Sequence, residues 1–401
     1  MITLMLLSAL AQVDPFTIDS KKITPEIRKE IARLDDLRRD AFEKACAAMG
    51  VQFSEARHVS LKAVDAGDPD PAAFDRHNGF AAETSSPSDT EVEIRFYVEY
   101  FSNGLLHPEE TLRHEMVHAV MRLHLAKEEY QKLPKWLREG IAVHVARQTP
   151  TKLAARFMEK EVALDPSKVL DGLEDAEHNL ADYAEDGLAI EFLVSVAGAG
   201  ALPKLEAELK GRKEYKDAIA TVAGRPYPKF VTDAQDYARK RVNEEAAKLE
   251  ADLKLYREIL ERNDKSKTEC ERFLKAYPNS PLKSAVQYYL AKSSGDDAIP
   301  LYDAFIEGAR KPGGFAGFID EALLRKARLL AKKNRLPASN RAYADLVLWH
   351  VGSNLGGTAL YEWGLQIRPS EPERAEGLLK RALEIDPKHR MADRARKALE
   401  G

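Results

Sequence analysis

The clearest pattern in the chain is the run Glu91-Val92-Glu93-Ile94-Arg95-Phe96-Tyr97-Val98, where polar and apolar residues alternate with the period of a half-buried strand. This strand is expected to extend to Tyr100. Shorter strand-like runs precede it at Arg57–Val64 and Gly79–Glu83, with loops over Gly67–Asp75 and Thr84–Asp89. Ahead of them a helix is predicted over residues 24–49: Thr24 can cap it, Pro25 takes its first position and Gly50 ends it. After the strands the apolar spacing becomes helical. Pro108-Glu109-Glu110 opens one helix, with proline in the first turn and acids at the positive end of the dipole. Leu112, Val117, Ala119, Val120 and Leu123 make that helix strongly apolar. Pro134 opens another, whose buried side is Trp136, Leu137, Ile141 and Val143. Between the two a loop is expected near Lys127–Leu133. Helices follow at Tyr183–Val196, Ala201–Leu209, Glu214–Ala223 and, after the turn Gly224–Pro228, Phe230–Arg241. A few strands followed by many helices predict an α+β fold.

From about Asn243 the character changes. Glu244–Glu261 is a long, charged helix with Ala and Leu spacing, and helix pairs with similar punctuation follow. Pro278, Pro312, the break at Gly352–Gly357 and Pro387 recur at about 34 to 40 residues, the length of a helix-turn-helix repeat. Phe273–Leu290 and Ala375–Ala392 resemble tetratricopeptide repeats, with small Ala positions and a helix-ending Pro. Trp349 and Trp363 depart from that pattern, and a non-repetitive helical bundle is the alternative. The resemblance implies a groove that binds a peptide or a partner protein. The expected organisation is a signal segment and linker over 1–19, a first domain of strands and helices over 20–242 and an all-α helical-repeat domain over 243–401.

Composition narrows the classes. Of 401 residues, 44% are hydrophobic and 31% charged, the balance of a globular protein. A net charge of −4 argues against a nucleic-acid partner, and no run approaches the length of a transmembrane segment. Ile2–Ala11 is apolar and ends in Ala9-Leu10-Ala11, which resembles a signal-peptidase site and predicts a periplasmic or secreted protein. No Lys or Arg precedes that run, and a short N-terminal strand or helix packed on the domain is the alternative. Cys46 and Cys270 lie far apart, in no metal or nucleophile motif.

The chemistry concentrates in His114-Glu115-Met116-Val117-His118. On a helix, residues four apart lie about 40° apart on one face, so His114 and His118 can aim two imidazoles at one ion. Glu115, beside the first of them, can reach a metal-activated water without binding the metal. In a mostly buried helix two unpaired histidines would be costly, and a metal removes that cost. Catalytic zinc usually takes a third protein ligand. His124 has metzincin spacing, but Met121 stands where that geometry needs a glycine to turn the chain. On a continuing helix His124 lies about 240° around from His118. Glu139, in Pro134-Lys135-Trp136-Leu137-Arg138-Glu139-Gly140-Ile141-Ala142, comes from a second helix that can return beside the first and complete a His₂Glu site.

The pair of motifs, His-Glu-x-x-His and Pro-x-Trp-Leu-x-Glu-Gly-x-Ala, resembles the gluzincin metallopeptidases, in particular the compact peptidase-MA-like domains. The resemblance spans roughly Val51–Arg241 and is concentrated at the two motifs. It implies a zincin-like domain with Zn²⁺ on His114, His118 and Glu139, and with Glu115 as catalytic base in peptide-bond hydrolysis. It also implies a sheet edge strand that takes an extended peptide or protein substrate, with Glu91–Tyr100 or a neighbour in that role, and an oxyanion donor from downstream, for which Tyr183 and His178 are the first candidates and Tyr130, in the loop between the motifs, a lesser one. Some gluzincins carry an Asp four residues after the Glu ligand to orient a ligand histidine. Here that position is Val143, which leaves the outer partners unassigned, and His144 is expected to be structural. The competing reading is a non-catalytic, repeat-based scaffold with an inactive or structural metal domain.

Overall fold

The computed structural model describes residues 11–20, 23, 25–64, 82–98, 108–125, 127–169, 173, 183–211, 214–309, 317–349, 353 and 355–400. It is mostly helical, with one small mixed sheet, an α+β arrangement. The strands are β1 (Ala11–Asp19), β2 (Arg57–Val64), β3 (Ala82–Ser85) and β4 (Glu91–Tyr97), in the order β1-β2-β4-β3. Strands β1, β2 and β4 run parallel to one another, and β3 runs antiparallel to β4. Val59, Leu61 and Ala63 pair with Val92, Ile94 and Phe96, and all six are buried. That row is the apolar half of the alternation seen in the sequence.

Three details differ from the expected pattern. The segment expected as linker, Ala11–Asp19, is a strand at one sheet edge. Phe16 N donates to Asp35 Oδ1 at 2.8 Å, and the Phe16 ring meets Phe96 edge-on at 5.4 Å. Pro15 hides this strand from pattern reading, and its register shifts there, as proline requires on an edge. Second, the strand expected at Gly79–Glu83 is described as Ala82–Ser85, so Thr84 and Ser85 pair with Ile94 and Glu93 instead of starting a loop. Third, β4 lies inside the sheet, between β2 and β3. Among the described residues, the sheet edge that meets the motif helix is β3.

Helix α1 (Pro25–Met49) ends at Gly50, whose φ of 64° is the left-handed value a glycine supplies at a helix end. Its expected cap, Thr24, lies outside the described residues. Helix α2 (Pro108–His124) packs on α1, β3 and β4. The expected loop after it is a short helix, α3 (Lys127–Lys132), with Glu128 and Glu129 in its first turn and Lys132 in its last, where each suits the dipole. Then come α4 (Lys135–Val145), α5 (Thr149–Arg156), α6 (Lys160–Leu164), α7 (Tyr183–Ala197), α8 (Ala201–Lys210), α9 (Tyr215–Ala223) and α10 (Tyr227–Lys248). The expected boundary at Asn243 falls inside α10, because nothing near it breaks a helix.

Nine helices complete the described chain: α11 (Glu250–Arg262), α12 (Lys267–Ala276), α13 (Lys283–Lys292), α14 (Ala298–Ala309), α15 (Ile319–Lys332), α16 (Leu336–Trp349), α17 (Gly356–Ile367), α18 (Pro372–Ile385) and α19 (Ala392–Glu400). Each packs on the next. Their apolar core extends into Leu153, Phe157, Met158, Val162 and Ala163 of the α5–α6 region. Tyr256 and Arg257 of α11 reinforce the join, bonding the carbonyls of Met158 and Ala163, each at 2.6 Å. No single helix among the described residues is long and apolar enough to cross a membrane. Cys46 and Cys270 are both free thiols.

Candidate metal centre

Helix α2 is buried around most of its circumference, so its polar residues must find partners inside the protein. His114 and His118 lie one turn apart with ring centroids 4.8 Å apart and planes at 77°, and their Nε2 atoms approach to 3.1 Å. Helix α4 supplies the third group. Glu139 Oε2 stands 3.1 Å from His114 Nε2 and 3.3 Å from His118 Nε2.

Two glycines make that approach possible. A Cβ on Gly140 would lie 2.6 Å from the Asp186 carbonyl oxygen of α7, and one on Gly187 would lie 2.7 Å from both Thr149 Oγ1 and Val143 Cγ1. Helices α4 and α7 therefore touch backbone to backbone, with Glu139 held next to the first of these glycines. This is the physical content of the Glu-Gly pair in the downstream motif. Gly187 carries no comparable signal in the sequence.

His114, His118 and Glu139 form a group that can hold a metal ion, their three ligand atoms within 4.8 Å of one another. Among the described residues it is the one such group. The spacing fits. Donors about 2.0–2.1 Å from a tetrahedral ion lie about 3.3–3.4 Å apart, and here the three separations are 3.1, 3.1 and 3.3 Å. Two imidazoles and one carboxylate are also the donor types that such an ion takes.

The electrostatics point the same way. Burial opposes the charge on Glu139, but His118 and His114 outweigh it and hold the carboxyl well below its usual range. Burial also opposes charge on His118, yet the fields of Tyr130, Glu139 and Glu115 raise it to about 10. The cluster therefore favours positive charge between its donors. His124 behaves oppositely. It stands outside the cluster, and burial, with Lys210 and Arg57 nearby, drives it down to about 4. His144 is also outside the group, lowered by burial against the pull of Glu191.

Around the triad lie groups to which pattern reading gave no part in holding the ligands or the base. Glu115 accepts a hydrogen bond from Thr84 Oγ1 of β3. Tyr130 of α3 places its hydroxyl 3.1 Å from His118 Nδ1, its ring flanked by the Arg122 and Arg138 guanidiniums at 4.7 and 5.2 Å. Gln148 Oε1 lies 2.9 Å from His114 Nδ1. Thr84 and Tyr130 fall in segments expected to be loops, and an isolated Gln has no signature. The candidate Tyr183 does reach the site. Its ring stacks on His114 at 6.0 Å and 13°, its hydroxyl bonds Glu139, and Lys152 of α5 sits 5.4 Å from its ring centroid. The other candidate, His178, lies outside the described residues.

No family model matches this chain, and no curated protein matches it.

Proposed function

We propose that the chain is a zinc-dependent peptidase of the gluzincin type, in which His114, His118 and Glu139 hold the ion and Glu115 acts as general base. One observation carries the reading: a two-imidazole, one-carboxylate triad of tetrahedral spacing, with a further buried carboxylate one residue from the first ligand. A purely structural ion needs no such neighbour.

Bound zinc supplies a Lewis acid for the scissile carbonyl and an acidified water. The remaining steps belong to the protein. Glu115 takes the proton of the attacking water and passes it to the leaving amine. Thr84 holds the Glu115 carboxylate from the side of the sheet edge. Among the described residues β3 is a sheet edge, and an extended peptide paired with it would lie beside Thr84 and Glu115. Tyr183 is the candidate donor to the oxyanion, and must give up its bond to Glu139 to serve it. Helices α11–α19 supply the partner- or substrate-binding surface.

The test is direct. Full-length protein is purified, its zinc content measured, and wild type compared with Glu115→Gln on a mixed peptide library. The proposal expects bound zinc in both proteins and cleavage by wild type alone. Absence of zinc removes the metal reading. Zinc without cleavage leaves the scaffold alternative standing.

A further inference from the structure

Val143 occupies the position at which related peptidases place an acidic partner for a ligand histidine, and the structure finds that partner elsewhere. Helix α4 ends in a Schellman turn. Gln148 N donates to Val143 O at 2.8 Å, Arg147 N donates to His144 O at 3.0 Å, and Arg147 sits at a φ of 60°. The left-handed residue turns the chain back toward α2, and Gln148 arrives beside His114 only 6% exposed.

The Gln148 amide can take only one orientation there. Its Nε2 lies 3.3 Å from the Glu110 carbonyl oxygen, which can only accept. The NH₂ group therefore faces Glu110, and Oε1 faces His114 Nδ1 at 2.9 Å. An acceptor at that distance requires the hydrogen of the imidazole to sit on Nδ1. In the neutral ring the lone pair then lies on Nε2, the atom that faces His118 and Glu139. On His118, the Tyr130 hydroxyl at Nδ1 can play either role and is compatible with the same tautomer. Among the described residues no carboxylate is bonded to either Nδ1.

We infer that Gln148 is the positioning residue of the metal centre. It fixes His114 as the Nδ1–H tautomer and does so with a neutral amide. Tyr130 is its counterpart on His118. The inference rests on the metal reading proposed above. It has a consequence of its own: neither imidazole gains the added basicity that a carboxylate partner confers, so the bound cation keeps more of its Lewis acidity.

The experiment uses the full chain with Zn²⁺ and Co²⁺ as probes. Affinity is measured by chelator competition for wild type, Gln148→Met, Gln148→Glu and Tyr130→Phe. Imidazole ¹⁵N spectra of histidine-labelled protein report the tautomer, with His114 assigned by its loss in His114→Asn. Gln148→Met should weaken binding about 10- to 100-fold and lose the Nδ1–H signature of His114. Gln148→Glu keeps the acceptor and should keep the tautomer and bind more tightly than Gln148→Met. Tyr130→Phe should weaken binding with the His114 signature intact. Wild-type affinity and tautomer in Gln148→Met would overturn the inference while leaving the metal reading in place. If wild type binds neither cation, the metal reading fails, and the cation-free spectra of wild type and Gln148→Met still decide the tautomer claim. Circular dichroism on each variant separates these effects from loss of fold, and Tyr130→Phe removes a single oxygen atom.

Discussion

Thr84 Oγ1, on the sheet edge, donates a hydrogen bond to Glu115 Oε2, on the helix that carries both histidines. A bond of this kind holds that carboxylate oxygen in place. If Glu115 is the base, Thr84→Val should lower kcat by roughly ten-fold or more, the scale of one hydrogen bond to a charged group. Thr84→Ser should retain most of the activity, and zinc content should not change in either. Steady-state kinetics on a cleaved library peptide, with zinc analysis alongside, checks this. Equal kcat in wild type and Thr84→Val would remove the assigned role.

Glu139 and His124 make opposite predictions. Glu139 touches both histidine Nε2 atoms, whereas His124 stands outside the cluster. Glu139→Ala should abolish stoichiometric zinc binding and leave two buried imidazoles without their counter-charge. His124→Ala should bind zinc as wild type does. Calorimetric titration of both variants decides between the ligand sets.

Gly140 is expected to be intolerant of even a methyl group. Its Cβ would press on backbone at 2.6 Å and on Ile190 Cγ1 at 2.9 Å, and backbone cannot step aside. Gly140→Ala should destabilise the protein by about 1–3 kcal/mol and weaken zinc binding as α4 is pushed off α7. Gly224→Ala serves as a contrast. Nothing lies within 4 Å of a Cβ there, so its cost comes from the left-handed φ of 62° alone, and zinc affinity should be untouched. Urea unfolding and zinc titration on the two variants measure both effects.

Glu206 sets a pH dependence unrelated to the site. It is 2% exposed on α8, both carboxyl oxygens lack a hydrogen-bond partner among the described residues, and burial raises it to about 8. Between its ordinary 4.5 and about 8 the folded protein keeps a proton that the unfolded chain releases. Its contribution to stability is thus fully present below pH 4.5 and is lost as pH rises through 8. Over that window it amounts to on the order of a few kcal/mol. Glu206→Met should remove this slope and melt above wild type at pH 8, with little difference at pH 4.5. Thermal unfolding across that range tests it, and parallel curves for the two proteins would count against it.

Parts of this protein are legible in the sequence because they repeat or alternate. The one-turn spacing of His114 and His118, the apolar row through Val92, Ile94 and Phe96, and the Pro134–Ala142 helix each declare themselves locally. Glu139 is legible only as half of a pair. The groups that hold the site in place are of another kind. Gln148, Tyr130 and Thr84 come from a helix-ending turn, a six-residue helix and an edge strand, and they meet only in space. None has a periodic neighbour to betray it. Ala11–Asp19 escaped for a related reason: Pro15 interrupts a strand whose pairing is entirely with residues from Arg57 onward.

The turn at Arg147 reaches in two directions. On one side Gln148 touches a histidine of the triad. On the other, the helix it opens buries Leu153, and Phe157 just beyond, among side chains of α11–α19. The molecule consequently has no seam at the point where its composition changes. A cut near residue 242 would sever α10 partway along and strip the cover from the helix that anchors Gln148. The half that carries the triad and the helical half thus share one apolar core, and a truncation between them would expose apolar surface on both.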